Sequence, residues 1–147
     1  MTALLDVNTL VALAWPNHVH HVAAQRWFRD RHAEGWATCP LTESGFVRVS
    51  SSPRATQESK SPAEAVLLLR RLVALDGHAF WADDVSLARD EHLAVERMVG
   101  YRQVTDAHLL VLAIHHGGRL VTFDRAIRTL VPPDRDPDEL LLVLEPS

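Results

Sequence analysis

Five short apolar segments, each separated from the next by at least one stretch of helical periodicity, constrain this 147-residue chain more than any other feature. Residues 3–7, Ala-Leu-Leu-Asp-Val, read as a buried strand, and Asn8 and Thr9 offer a helix cap before the apolar run 10–14. Apolar residues at helical spacing (Val19, Val22, Ala23, Trp27, Phe28) predict a second helix over 18–31. Residues 36–39 form the next strand candidate; Pro40 cannot continue its ladder, and a helix over 41–50 follows. Ser61-Pro62-Ala63-Glu64 is a capping box with proline at the first helical position, opening a helix that stops at Gly77. A strand over 78–82, helices over 86–98 and 103–116, a strand over 119–123, a helix over 125–130 and a strand over 140–144 complete the series. Strands alternating with helices in this way predict an α/β fold of three layers: a mostly parallel sheet of about four to five strands with helices on both faces. The only loop-like stretch, 51–62, is too short for an interdomain linker, so residues 1–147 are expected to form one domain.

Composition removes several function classes. Of the fifteen basic residues only Lys60 is a lysine, and the chain contains no G-K-[ST] of a P-loop. The lone Cys39 can supply neither an internal disulfide nor a multi-cysteine zinc site and reads as a small core residue. The net charge of -4 is concentrated late in the chain, where Asp134, Asp136, Asp138, Glu139 and Glu145 face one base, Arg135. The remainder is balanced, so any attraction to nucleic acid must come from local basic surface. No apolar run is long enough to span a bilayer, and the opening MTALLD lacks the features of a signal peptide; a soluble, cytoplasmic protein without membrane contact is expected.

Ligands of open parallel sheets bind beyond the carboxyl ends of the strands. Four acids fall there: Asp6 after the first strand, Glu43 after the second, Asp106 at the start of a helix, and Asp124 after Leu120-Val121-Thr122-Phe123. Each acid alone is most simply a helix cap. Four converging on one edge would repel one another and lose solvation, an arrangement that a divalent cation neutralises. Oxygen-only donors select a hard ion, Mg²⁺ or Mn²⁺, and an ion held in this way points to a phosphate ester as substrate.

The segments LLDVNTLVAL, CPLTESGFVRV, GYRQVTDAHLLVLAIHHGGRLVTFD and the final LLVL resemble, in order and over nearly the whole chain, the PIN-domain ribonucleases, and more narrowly the VapC toxins of bacterial toxin–antitoxin modules. The resemblance implies a metal-dependent endoribonuclease whose acidic site is Asp6, Glu43, Asp106 and Asp124, supported by Asn8 and Thr122. It further implies structured RNA (transfer or ribosomal) as substrate, a small antitoxin as inhibitor, and a homodimer.

Other features have plainer explanations. His115 and His116 end a helix, where imidazoles suit the dipole, and His18, His20 and His21 can be solvated; a metal role is not needed for either group. His108 belongs to a different helix face from Asp106. The pairs Arg26/Arg29 and Arg70/Arg71 read as solvated helix faces, but Arg102, four residues before Asp106, and Arg48, after Glu43, could meet RNA phosphates. Asp6-Val7-Asn8 also resembles the opening of haloacid-dehalogenase phosphatases, yet Asn8 replaces the required second acid and no suitable lysine follows. A receiver-type signalling domain fails for want of the same late lysine. A catalytically silent RNA-binding PIN-like domain is the remaining alternative, opposed by the retention of four acids facing a polyanion.

Overall fold

The computed structural model describes residues 1–53, 60–89 and 95–146. Strands β1 (Ala3–Leu5), β2 (Trp36–Thr38), β3 (His78–Phe80), β4 (Arg119–Thr122) and β5 (Leu141–Val143) form one sheet in the order β3-β2-β1-β4-β5. All four pairings are parallel, so the helical crossovers expected from the alternation are present. Chain order runs outward from β1 through β2 to β3, then jumps to β4 on the other side of β1. The carboxyl ends of β1 and β4 therefore flank a topological switch point, where side chains leaving adjacent strands diverge and a crevice opens.

Helices α1 (Val7–Ala14), α2 (His21–Arg31), α3 (Pro40–Ser50) and α4 (Pro62–Val73) share one core with Leu5 and Trp36. Leu4, Ala37, Leu120 and Leu141 belong to the other core, with α5 (Val104–His115) and the short α6 (Pro137–Leu140). Successive strand residues pointing to opposite faces thus produce the three layers. Cys39 is fully buried in the α5-side core, as its lone occurrence suggested. The capping box at Ser61 and Glu64 is formed in both directions, and Gly77 at φ +84° turns the chain into β3 where a Cβ would lie 2.1 Å from the His32 carbonyl oxygen.

Several boundaries differ from the sequence reading. The cap of α1 is Asp6, one residue past β1, rather than Asn8 or Thr9, because the extended backbone at Asp6 (ψ 171°) lets its carboxylate reach back to the Thr9 amide. The helix expected from 18 starts at His21, since 15–20 form turns closed by His18 N–H to Trp15 O and His21 N–H to His18 O. The segment 125–130 is a 3-10 helix rather than an α-helix. Residue 140 ends α6 instead of starting β5. The helix expected over 86–98 falls partly outside the described residues; within them Ser86 caps a turn and Val95–Arg97 is a single 3-10 turn. Part of the expected loop 51–62 also lies outside them. Among the described residues no helix is long and apolar enough to cross a membrane.

Helices α1 and α3 pack tightly where Gly45 faces Val7, the first residue of α1: a Cβ on Gly45 would lie 2.5 Å from Val7 Cγ2. Val7 is β-branched and cannot swing its methyl away freely. Gly45→Ala should destabilise the protein by about 1–3 kcal/mol in urea unfolding, outweighing a gain of about 1 kcal/mol in helix propensity. Part of the loss should return in the Gly45→Ala, Val7→Ala double variant. A single variant as stable as the parent would show that the two helices have room to separate.

Candidate active site

The switch point between β1 and β4 holds a pocket of about 330 Å³ lined by Asp6, Asn8, Thr105, Asp106, Thr122 and Asp124 over a floor of Val7, Val11, Val49 and Leu109. Each acid arrives from a different element. Asp6 leaves β1 and caps α1, its Oδ1 accepting from the Thr9 N–H at 2.9 Å and its Oδ2 from the Thr122 hydroxyl at 2.6 Å. Thr122, the last residue of β4, also accepts from the Asp124 N–H through Oγ1 at 3.0 Å, so one buried hydroxyl links two of the acids. Asp124 caps the following 3-10 helix, accepting from the Ala126 N–H at 2.9 Å. Asp106 sits in the first turn of α5, whose N-terminus faces this edge because α5 runs antiparallel to the strands it crosses between.

The three carboxyls that line this pocket also act on one another electrostatically. Burial pushes Asp6 above the usual carboxylate range, against the hydrogen bonds from Thr122 and Thr9, and the charge of Asp124 adds to the rise. Burial, followed by the charges of Asp6 and Asp124, pushes Asp106 up to about 6. A protein alone gains nothing from holding three like charges in a half-buried pocket; a cation or a proton must offset them.

Glu43, the fourth acid, does not line this pocket. It stands in the first turn of α3, and its Oε2 accepts from the Thr38 hydroxyl at 2.6 Å. Thr38 Oγ1 in turn accepts from His78 Nε2 at 2.8 Å, forming a chain His78–Thr38–Glu43 across β3, β2 and α3. Burial lowers the pKa of His78, partly opposed by Glu43. Neither Thr38 nor His78 was singled out from the sequence. A signal existed: Thr38, like Thr122, is a fully buried threonine closing an apolar strand, directly before an acid-bearing segment.

Asn8 lies at the pocket's exposed rim, its Oδ1 accepting from His18 Nε2 at 3.2 Å. The histidines near it are not simply solvated, as the sequence reading held. His18 and His20 are half-buried, His20 stacks on Phe123 with ring centroids 4.4 Å apart, and His21 Nδ1 bonds the Ala12 carbonyl. Apolar contact with Phe123, invisible in linear sequence, draws the turn inward. His108 pairs with Asp83 at 2.7 Å and does not line the pocket. Arg48 and Arg102 are exposed and outside the pocket lining, with Arg102 lying against the Tyr101 ring.

Comparison with known proteins agrees with this architecture. The family model of the PIN domain matches residues 3–131. Ribonuclease VapC39 of Mycobacterium tuberculosis is 54% identical over 127 residues, covering 86% of this chain and 91% of the relative. Ribonuclease VapC38 of the same organism is 54% identical over 143 residues, covering 97% and 99%. Among solved structures, VapBC2 from Rickettsia felis bound to a DNA fragment from its promoter contains a chain of similar fold, with a TM-score of 0.65 at 14% identity, covering 99% of this chain and 100% of that one.

The raised pKa of Asp106 has a measurable consequence. Between its ordinary 3.8 and about 6, the folded chain holds this proton more tightly than the unfolded chain does, so stability falls as pH rises through that window. In chelator-treated protein, Asp106→Asn should reduce the fall, leaving the part that belongs to Asp6. Discounted for the half-exposed position, the variant should be about 1 kcal/mol more stable than the parent at pH 7 and no different below pH ~4. Equal stabilities at both pH values would show that neither burial nor the neighbouring carboxyls raise Asp106.

Proposed function

This chain belongs to the PIN-domain family, together with the VapC ribonucleases, and from that premise we propose that it is a metal-dependent endoribonuclease and the toxin of a toxin–antitoxin pair. The observation that carries this reading is the convergence of Asp6, Asp106 and Asp124 on one pocket, with the carboxyls of Asp6 and Asp106 pushed up by burial and mutual charge. Donors that are all oxygen, already repelling, fit a hard divalent cation, and these three acids would hold Mg²⁺ or Mn²⁺. When bound, such an ion lowers the pKa of water and offsets charge gathering on a phosphodiester.

The chain's own residues supply orientation. Thr122 and the Thr9 amide fix both oxygens of Asp6, and the Ala126 amide fixes one oxygen of Asp124, so these two carboxylates are oriented before substrate arrives. Glu43, held through Thr38 and His78 beside the pocket, would orient the attacking water or hold a second ion. Asn8, at the rim, offers its amide to a substrate phosphate, and Arg48 and Arg102 receive the flanking backbone of a transfer or ribosomal RNA. Water attack on phosphorus leaves a 5′-phosphate and a 3′-hydroxyl. The whole of 1–147 acts as one domain, as a homodimer, in the cytoplasm. A small antitoxin silences it by covering the pocket, with an arginine set against the carboxylates.

Asp6→Asn and Asp106→Asn should each lower RNA cleavage by more than about 100-fold, beyond the cost of losing an outer-shell partner of a metal ligand, while circular dichroism stays unchanged. Cleavage by the parent should stop in excess EDTA and return with Mg²⁺, and sequencing of cut RNA should find 5′-phosphate ends. Cyclic-phosphate ends, or full activity in chelator, would overturn the metal-dependent mechanism.

Expression of the chain alone should arrest growth, and co-expression of its neighbouring small partner should restore it. Harmless expression of folded, RNA-cleaving protein would leave the nuclease and remove the toxin.

A further inference from the structure

At the end of α5 opposite Asp106, about 14 Å away along nine helical residues, a second group of ligating side chains gathers. Asp84, His115 and His116 each bring one donor atom to within 4.8 Å of the others. We propose that these three residues form a binding site for a borderline transition-metal cation of the Zn²⁺ class, separate from the acidic pocket and independent of the nuclease reading.

The distances separate this cluster from ordinary histidine–aspartate pairing. Asp84 Oδ1 lies 3.4 Å from His115 Nε2 and 3.6 Å from His116 Nε2. A hydrogen bond would bring such atoms to about 2.7–3.2 Å. Two turns earlier on the same helix, His108 and the adjacent Asp83 do so at 2.7 Å. Two ligands of a tetrahedral ion, each about 2.0–2.1 Å from it, stand about 3.3 Å apart. The oxygen is thus spaced from both nitrogens as members of one coordination shell are spaced, and too widely for good hydrogen bonds.

One of the two rings is also held in place. His116 stacks on Trp81 with centroids 4.6 Å apart and planes 8° from parallel. Trp81 is itself buried, closing over Gly118, where a Cβ would lie 2.7 Å from its Cη2. His115 ends α5 and His116 is its C-cap, outside helical geometry, which lets consecutive residues turn their rings toward one carboxylate, 88° to each other. His116 Nε2 also donates to the Ala82 carbonyl at 3.2 Å, so in the metal-free protein this nitrogen carries the proton, and an ion would bind by displacing that proton and freeing the lone pair. Two imidazoles and one carboxylate select Zn²⁺, Co²⁺ or Ni²⁺ over Mg²⁺, which prefers all-oxygen shells. A bound ion would clamp the segment leaving β3 onto the end of α5.

The test uses the full-length chain without an affinity tag, carrying Asp6→Asn and Asp106→Asn so that the acidic pocket cannot answer for the result. Titration with Co²⁺ should give one equivalent of an intense tetrahedral visible band, displaced by Zn²⁺ and not by excess Mg²⁺, and Zn²⁺ should raise the Tm. His115→Gln, at an exposed ring, should abolish the band with circular dichroism unchanged, and Asp84→Asn should weaken Zn²⁺ binding at least about tenfold. Failure to take up either ion, a weak octahedral Co²⁺ spectrum, or uptake that survives His115→Gln would overturn the site.

Discussion

The hydroxyl of Thr122 on the carboxylate of Asp6 joins the two strands on which the rest of the molecule is arranged. Its 2.6 Å bond closes the carboxyl ends of β1 and β4, while the other oxygen of Asp6 starts α1 through the Thr9 amide. The Thr9 hydroxyl returns to the Val121 carbonyl, so sheet and first helix are tied through one buried acid. A carboxylate so placed costs desolvation, and its hydrogen bonds only partly offset that cost, which is why burial still raises the Asp6 pKa. The fold keeps a destabilising charge at its centre, and that charge defines the candidate site.

The fold was legible because its elements are short and punctuated. Ser61-Pro62, Gly77 and Gly117-Gly118 mark boundaries by local chemistry, and the structure obeys them. The misplaced boundaries have different causes. Asp6 rather than Asn8 caps α1 because the strand ends just before it, a local matter, whereas His18 and His20 leave the helix pattern because Phe123 and Asn8, outside that helix, receive them. Strand order was beyond reach, since periodicity says which face a residue uses and nothing about which strand lies beside it.

The candidate site was legible to a similar depth. Asp6, Asp106 and Asp124 were found by asking which acids end strands or open helices on one edge, and the pocket unites them. Glu43 satisfied the same rule yet belongs to an adjacent hydrogen-bonded chain, because Thr38 claims one of its oxygens. His78 could not be read from sequence: it is 40 residues from Thr38, and only the pairing of β2 with β3 brings them together.

Helix α5 shows which electrostatic effect governs each of its ends. Its dipole favours an acid in the first turn and imidazoles in the last, by about 0.3–1 kcal/mol each near a surface. Asp106 occupies the first turn and is nonetheless pushed up from 3.8 to about 6, a gross shift near ~3 kcal/mol that exceeds the dipole even when halved for solvent screening. Burial and the two neighbouring aspartates therefore decide the state of Asp106. At the opposite end the dipole explains why His115 and His116 are tolerated, but it acts along the helix axis and sets no distance to a side chain from another element. The spacing of Asp84 from both rings, 3.4 and 3.6 Å, instead matches the separation of two ligands of one tetrahedral ion.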